Sequence, residues 1–181
     1  EQFNNDPRQS LRERNWFGTP WNLFSIHLNT KISERLTSDT KFFGLIGERN
    51  SVGFTAAPNV EDAINPATND YANRRVDRDY YKNFGLENRN VLKYKLGKID
   101  NNLAFGVRLY KAGTERKQEG RGTTGSDFDL SIDGEFARDL DFSTENVALF
   151  AENQFKVTEK FSVTPGVRYE YIKSEAEGRF G

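Results

Sequence analysis

Thr144-Glu-Asn-Val-Ala-Leu-Phe-Ala-Glu-Asn-Gln-Phe-Lys156, a short polar turn (Val157-Thr-Glu-Lys160), and Phe161-Ser-Val-Thr-Pro-Gly-Val-Arg-Tyr-Glu-Tyr171 together decide the fold. Apolar and polar residues alternate on both sides of the turn, which is the period-2 signature of a β-hairpin. One row holds Val147, Leu149, Ala151 and Phe155, then Val163, Val167, Tyr169 and Tyr171. The other holds Glu152, Gln154, Thr164, Arg168 and Glu170. A strand greasy on one face and charged on the other suits a barrel wall between lipid and a wet lumen. It also suits a half-buried soluble sheet, so the hairpin alone leaves both open.

The rest of the chain separates them. Trp21 to Ile32 alternates Phe24, Ile26, Leu28, Thr30 and Ile32 against Ser25, His27, Asn29 and Lys31. The short turn Ser33–Ser38 leads to a second strand, Lys41 to Glu48. Asn83 to Leu96 opposes Phe84, Leu86, Leu92, Tyr94 and Leu96 to Glu87, Arg89, Lys93 and Lys95, and the turn Gly97–Asn102 follows. Leu103 to Lys111 then sets Leu103, Phe105, Val107 and Leu109 against Ala104, Gly106, Arg108 and Tyr110. Polar stretches at 49–82 and 112–142 read as long loops, and 1–20, with Pro7 and Pro20, as irregular. Connections therefore run short, long, short, long, short. In an antiparallel meander this puts every short one at one end, the asymmetry of outer-membrane barrels. The segments also match the roughly 9 to 11 residues a tilted strand needs to cross a bilayer. The expected fold is all-β: an up-and-down meander of about six long strands, a section of a larger barrel wall. Asn88, Asn90 and Asn153 fall on apolar rows, and Pro165 lies within a strand where it removes a ladder donor.

Composition agrees with a wet, two-faced sheet. Apolar residues are 35% of 181, yet there are 15 Phe and 15 Gly, so the polarity does not read as disorder. A net charge of -1 implies neither nucleic acid nor an anionic surface as partner. The lack of Cys excludes thiolate chemistry and disulfides. No run approaches the roughly 18 apolar residues of a membrane helix, so spanning falls to strands. The chain opens at Glu1 with neither Met nor signal peptide, and a section of a longer precursor is expected.

Val147-Ala-Leu-Phe-Ala-Glu-Asn-Gln-Phe, the Thr-Glu-Lys turn and Thr164-Pro-Gly-Val-Arg-Tyr-Glu170 resemble a hairpin of TonB-dependent outer-membrane transporters. Leu103-Ala-Phe-Gly-Val-Arg-Leu-Tyr110 with Glu115-Arg-Lys-Gln-Glu-Gly-Arg-Gly-Thr-Thr-Gly125 is similar to their ferric-citrate-receptor branch, as are Asn73-Arg-Arg-Val-Asp77 and Leu86-Glu-Asn-Arg89. The resemblance covers about 75–175 closely; 1–70 fits by pattern. It implies a roughly 22-stranded barrel in the bacterial outer membrane, filled by a plug domain. It also implies uptake of a ferric chelate (citrate or another siderophore), driven by an inner-membrane energising complex. Residues 1–181 match only a barrel section, without plug or coupling box, and no cofactor is expected.

The candidate ligand contacts lie in the two long polar stretches. A ferric chelate such as ferric citrate is anionic, and Arg grips carboxylates bidentately. Arg74, Arg75, Arg78, Arg116, Lys117 and Arg121 are the candidates, with Tyr80 and Tyr81 adding chelator contacts. Pairing of these arginines with Asp62, Asp70, Asp77 and Asp79 is the competing reading. Arg89, Arg108, Glu152, Arg168 and Glu170 are expected to form a charge ladder on the lumen face, pairing across strands or with the plug that the resemblance implies. Asp127, Asp129, Asp133 and Glu135 have the alternate acidic spacing of a calcium loop, but Ile132 and Arg138 stand where an EF-hand needs Gly and Glu. Gly120-Arg-Gly-Thr-Thr-Gly125 satisfies G-x-G-x-x-G but lacks the flanking strand and helix of a dinucleotide site. Ser25 and His27 share a strand face, leaving a barrel-borne lipase as one alternative and a soluble β-rich binding or adhesion module as another. Neither displaces the non-enzymatic transport reading.

Overall fold

The computed structural model describes residues 10–158 and 160–180; Pro7 and Glu159, named above, lie outside them. Eight strands form one antiparallel sheet: β1 (Trp16–Gly18), β2 (Trp21–Lys31), β3 (Leu36–Gly53), β4 (Arg75–Leu96), β5 (Ile99–Arg121), β6 (Arg138–Lys156), β7 (Ser162–Val163) and β8 (Gly166–Phe180). Each long strand pairs with the next along the chain, and β1 adds to the far end of β3. The expected meander of six long strands is what forms, as an open sheet with β2 and β8 at its edges.

The alternation survives into three dimensions with its rows intact. Directly opposed residues share a face, so the register carries a row across the whole sheet. Ile26, Phe42, Leu86, Leu109, Val147 and Tyr171 form one such row, apolar at every strand. One row nearer the loops, Phe24, Gly44 and Phe84 continue the apolar surface, but Lys111, Glu145 and Lys173 end it on the later strands. Two rows the other way, Phe105, Ala151 and Val167 are still apolar beside Ser38 and Asn90. The belt therefore crosses the rows obliquely. Strands tilted against a membrane plane require that, since a level band of lipid cuts a slanted ladder diagonally. Asn88 and Asn90 lie below the belt on β4, where Asn88 donates to Ser38 Oγ (2.9 Å) and Thr40 Oγ1 (2.8 Å). Asn153 accepts from the Tyr94 hydroxyl at 3.1 Å.

The core of this sheet is not inside the chain. Val52, Val76, Leu140 and Ala148 are buried, whereas Ile26, Leu28, Phe42, Leu109, Leu149 and Tyr169 stand exposed. A single layer with this much outward apolar surface needs a covering medium, and the belt geometry identifies it as lipid.

Connections sort as expected, with different lengths. The short ends are tight: Gly97 and Lys98 alone join β4 to β5, and Gly97 has φ of 63°. A positive φ at the first of two turn residues is the type II′ requirement, and glycine meets it without strain. Pro165 falls in the gap between β7 and β8, where its carbonyl still accepts from Asn153 N at 2.9 Å while no donor is demanded. At the other end the loops are 54–74 and 122–137, not 49–82 and 112–142. β4 has 22 residues and β5 has 23. At about 3.3 Å per residue each exceeds 70 Å, more than twice the ~30 Å hydrocarbon core. The sheet thus continues well past the belt, with water on both faces.

Candidate functional site

Strand extension relocates the candidate residues. Arg75, Arg78, Tyr80, Tyr81, Arg116, Lys117 and Arg121 were expected in loops and stand on β4 and β5; only Arg74 lies in a connection. Period 2 then sorts them. Arg78, Tyr80 and Lys117 share the outer face, above the belt. There the Arg78 guanidinium lies 5.1 Å from the centre of the Tyr80 ring and 3.7 Å from Glu48, and Lys117 pairs with Glu115 at 2.6 Å. Donating to the Glu115 carboxylate holds the Lys117 ammonium above its ordinary pKa. Tyr81 and Arg116 face the lumen.

On the lumen face the structure builds a clasp around Asp79, which is fully buried. Arg49 Nη2 donates to it from β3 at 2.8 Å, and Arg116 Nε from β5 at 3.2 Å. The Tyr81 hydroxyl donates at 3.1 Å from two residues along β4. Cross-strand register makes this possible, because Arg49, Asp79 and Arg116 are direct neighbours in one row. Each arginine side chain stays 37% exposed. One carboxylate cannot neutralise two guanidiniums, so the clasp presents a net positive pair of planar donors to the lumen. Arg116 also lies over Phe142 at 5.5 Å, and the Trp21 ring packs 6.0 Å from Tyr81. Arg49 was missed from sequence because it sits one residue beyond the recognisable apolar run of β3.

Above the clasp the two long connections and the segment before β1 are tied together. Arg14 is buried and forms an ion pair with Asp62 of the first connection at 2.5 Å. It also donates to the carbonyls of Ala72 (3.2 Å) and of Thr124 in the second connection (2.8 Å), and stacks over Tyr71 at 4.2 Å. Arg74, 1% exposed, donates to the carbonyls of Arg14 (3.2 Å) and Asp127 (2.7 Å) and to Thr123 Oγ1 (3.1 Å). Burial pushes its pKa down from the arginine norm. Arg74 is therefore a strut of the loop assembly rather than a free ligand contact.

The remaining candidates find separate partners. Arg75 pairs with Asp77 (2.8 Å) and Glu119 (3.3 Å); Arg121 donates to Asn73 (3.1 Å) and stands 3.9 Å from Asp133. Among the calcium candidates, Asp129 accepts from Ser131 N and Oγ, Glu135 pairs with Arg179, and Asp127 is engaged through its carbonyl. Along an extended connection their carboxylates are spread out, and no group of three His, Asp or Glu fit to hold a metal forms among the described residues. His27 Nε2 is bound to Asp39 at 2.7 Å, and no hydrogen bond joins it to Ser25. Further down, the expected cross-strand ladder does not form: Arg168 pairs with Glu170 at 3.1 Å and Arg89 with Glu87, each along its own strand, and Arg108 and Glu152 make no ion pair among the described residues.

An open antiparallel sheet with an oblique apolar belt outside, a charged lumen face and long connections at one end is a section of an outer-membrane β-barrel wall. The chain belongs to the TonB dependent receptor-like, beta-barrel family, whose model matches residues 2–180. That places it in the outer membrane. Among solved structures it is similar to the ferric citrate transporter FecA in its unliganded form, with a TM-score of 0.76 and 19% identity. The match covers 97% of this chain and 24% of that one, so the chain spans about a quarter of the length of FecA. No curated protein sequence matches it.

Proposed function

We propose that this wall section belongs to an energy-coupled transporter of ferric chelates, and that the Arg49–Asp79–Arg116 clasp is its chelate contact. The clasp carries the reading: a buried carboxylate pre-orients two guanidiniums whose free edges face the lumen directly beneath the loop assembly. Such a pair suits a small, multiply anionic complex such as ferric citrate or another carboxylate siderophore. Tyr81 supplies a phenol and ring at the same level, while Arg75 and Arg121 line the way in. The cargo undergoes no chemistry here; it is captured, then released past the plug of the full-length receptor, driven by a separate inner-membrane energising complex.

The test is equilibrium binding of ferric citrate to the full-length receptor carrying Arg116→Gln or Arg49→Gln. Losing one charge-assisted contact removes about 1.5–3 kcal/mol, so Kd rises roughly tenfold or more for each. Lys117→Gln, on the outer face, leaves it unchanged. Equal affinity in all three variants overturns the assignment.

A further inference from the structure

Deeper along the same lumen face lies a second group of cations that the clasp does not use. Lys41 on β3 and Arg108 on β5 line a recess of about 400 Å³ together with His27, Asp39, Glu87 and Arg89. The carboxylates there already have partners: Asp39 is held by His27 at 2.7 Å, and Glu87 is taken by Arg89. Glu170 on β8, in the same row as Arg108 but beyond Ala148 of β6, is held by Arg168 at 3.1 Å and Asn146 at 2.8 Å. Neither Lys41 nor Arg108 has an ion pair among the described residues, and Arg108 Nε is buried without a hydrogen-bond acceptor.

The two cations are nevertheless held in place. The Phe43 ring, in the adjacent lumen row, lies 5.9 Å from Lys41 Nζ and 5.7 Å from the Arg108 guanidinium, which is also 5.7 Å from the Tyr110 ring. Phe43 and Tyr110 stack with centroids 6.4 Å apart at 22°. This stack exists because residue 85 is glycine: a Cβ there would come within 2.2 Å of Phe43 Cζ. Glu87 is the direct cross-strand neighbour of both Lys41 and Arg108, but Arg89 draws on it as well. Lys41, Arg89 and Arg108 thus face only Asp39 and Glu87, and the recess keeps a net positive charge. An anion would balance that charge, and the guanidinium beside it has a buried Nε donor still without an acceptor.

We propose that Lys41 and Arg108, braced by Phe43 and Tyr110, form an inner anion station on the lumen wall that binds a carboxylate. It is distinct from the clasp. Lys41 and Arg108 lie eight residues along β3 and β5 from Arg49 and Arg116, about 26 Å of strand. The lane between them on β3, β4 and β5 carries only uncharged side chains, among them Tyr81, Asn83 and Thr114. An anion leaving the clasp meets its next positive charge at this station. The carboxylate comes either from a free anion of the citrate type or from a protein segment occupying the lumen.

Acylation of the exposed Lys41 amine, read by mass spectrometry on the full-length receptor in detergent with and without iron-free citrate, tests the station. Lys41 that labels freely, is protected by citrate, and needs roughly tenfold more citrate after Arg108→Gln supports a free anion as occupant. Lys41 shielded from the start, and exposed by Arg108→Gln, supports a carboxylate of the protein. Labelling indifferent to Arg108→Gln under both conditions overturns the proposal. Arg108→Lys, which keeps the charge, retains most of the protection and separates loss of the site from loss of the fold. Arg116→Gln leaves Lys41 protection unaltered, so failure of the clasp and failure of the station are read separately.

Discussion

Asp79 is where one residue decides most. It accepts from Arg49, Arg116 and Tyr81 and is wholly buried, so its charge is matched only by groups on the two neighbouring strands. Replacing it with Asn keeps the shape but leaves two guanidiniums facing each other across an uncharged amide. Breaking a buried pair of this kind costs about 3 kcal/mol. Asp79→Asn should therefore lower the denaturant midpoint of the refolded receptor. Adding Arg49→Gln should recover part of that loss, because it removes half of the repulsion. A double variant as unstable as the sum of both singles would contradict a shared carboxylate. At this scale the sequence was half legible. Arg116 and Tyr81 stood out by residue type, and Asp79 was visible as a pairing partner for loop arginines. Arg49 was not, because a cation just past an apolar run looks like a loop residue until register places it opposite Asp79.

At the scale of the strand, legibility tracks the medium on each side. Between lipid and lumen, alternation is forced, and every row read from β4, β5 and β6 survives in the sheet. Above the belt both faces are wet. There Glu115, Arg116 and Lys117 succeed one another without a hydropathy period, though the ladder runs unbroken from Lys117 to Leu96 and Ile99. Backbone pairing leaves no trace in hydropathy, which is why 112–121 looked like loop. The end of that regularity is marked instead by backbone. Between the Val76–Gly120 and Arg78–Lys117 pairs, Gln118 and Glu119 oppose Asp77 alone, and Glu119 takes φ of 62° with its amide donating to Asp77 at 2.8 Å. This is a bulge, and it re-aims the strand tips towards the loop assembly. The belt itself yields a paired prediction. Leu109→Arg places a charge in the all-apolar outer row and should cost about 2–4 kcal/mol in lipid vesicles. Ala112→Arg, on the lumen face of the same strand, should cost under 1 kcal/mol, about what a wet position pays. Equal costs measured by denaturant unfolding in vesicles would contradict the facing assigned here.

For the molecule as a whole, the end that carries the long connections is tied into one body rather than two independent loops. Arg14 touches both connections and Arg74 joins the second connection to the Arg14 backbone, so the segment before β1 acts as a tie across the top of the sheet. Trp16 adds to it, donating to the Ser126 carbonyl at 2.6 Å. A substitution in one part should therefore loosen another distant in sequence. Arg14→Ala removes the partner of Asp62 and the donor to Thr124, leaving a nearly buried carboxylate uncompensated. Limited proteolysis of the full-length receptor should then cut within both 54–74 and 122–137 faster than in the wild type, by a similar factor. Arg121→Ala, whose side chain is 66% exposed, should change neither. The second connection also carries a pH dependence of known sign. Hydrogen bonds from the Ser131 hydroxyl and amide hold the Asp129 carboxyl below its ordinary value of 3.8, so they favour the ordered loop fully above that pH and are lost as pH falls through the lowered value. Resistance of 122–137 to cleavage should accordingly be level from neutral pH down to about 5 and fall only in stronger acid. Faster cleavage at 54–74 alone after Arg14→Ala would mean that the loops move separately, and the tie would then be a contact without mechanical consequence.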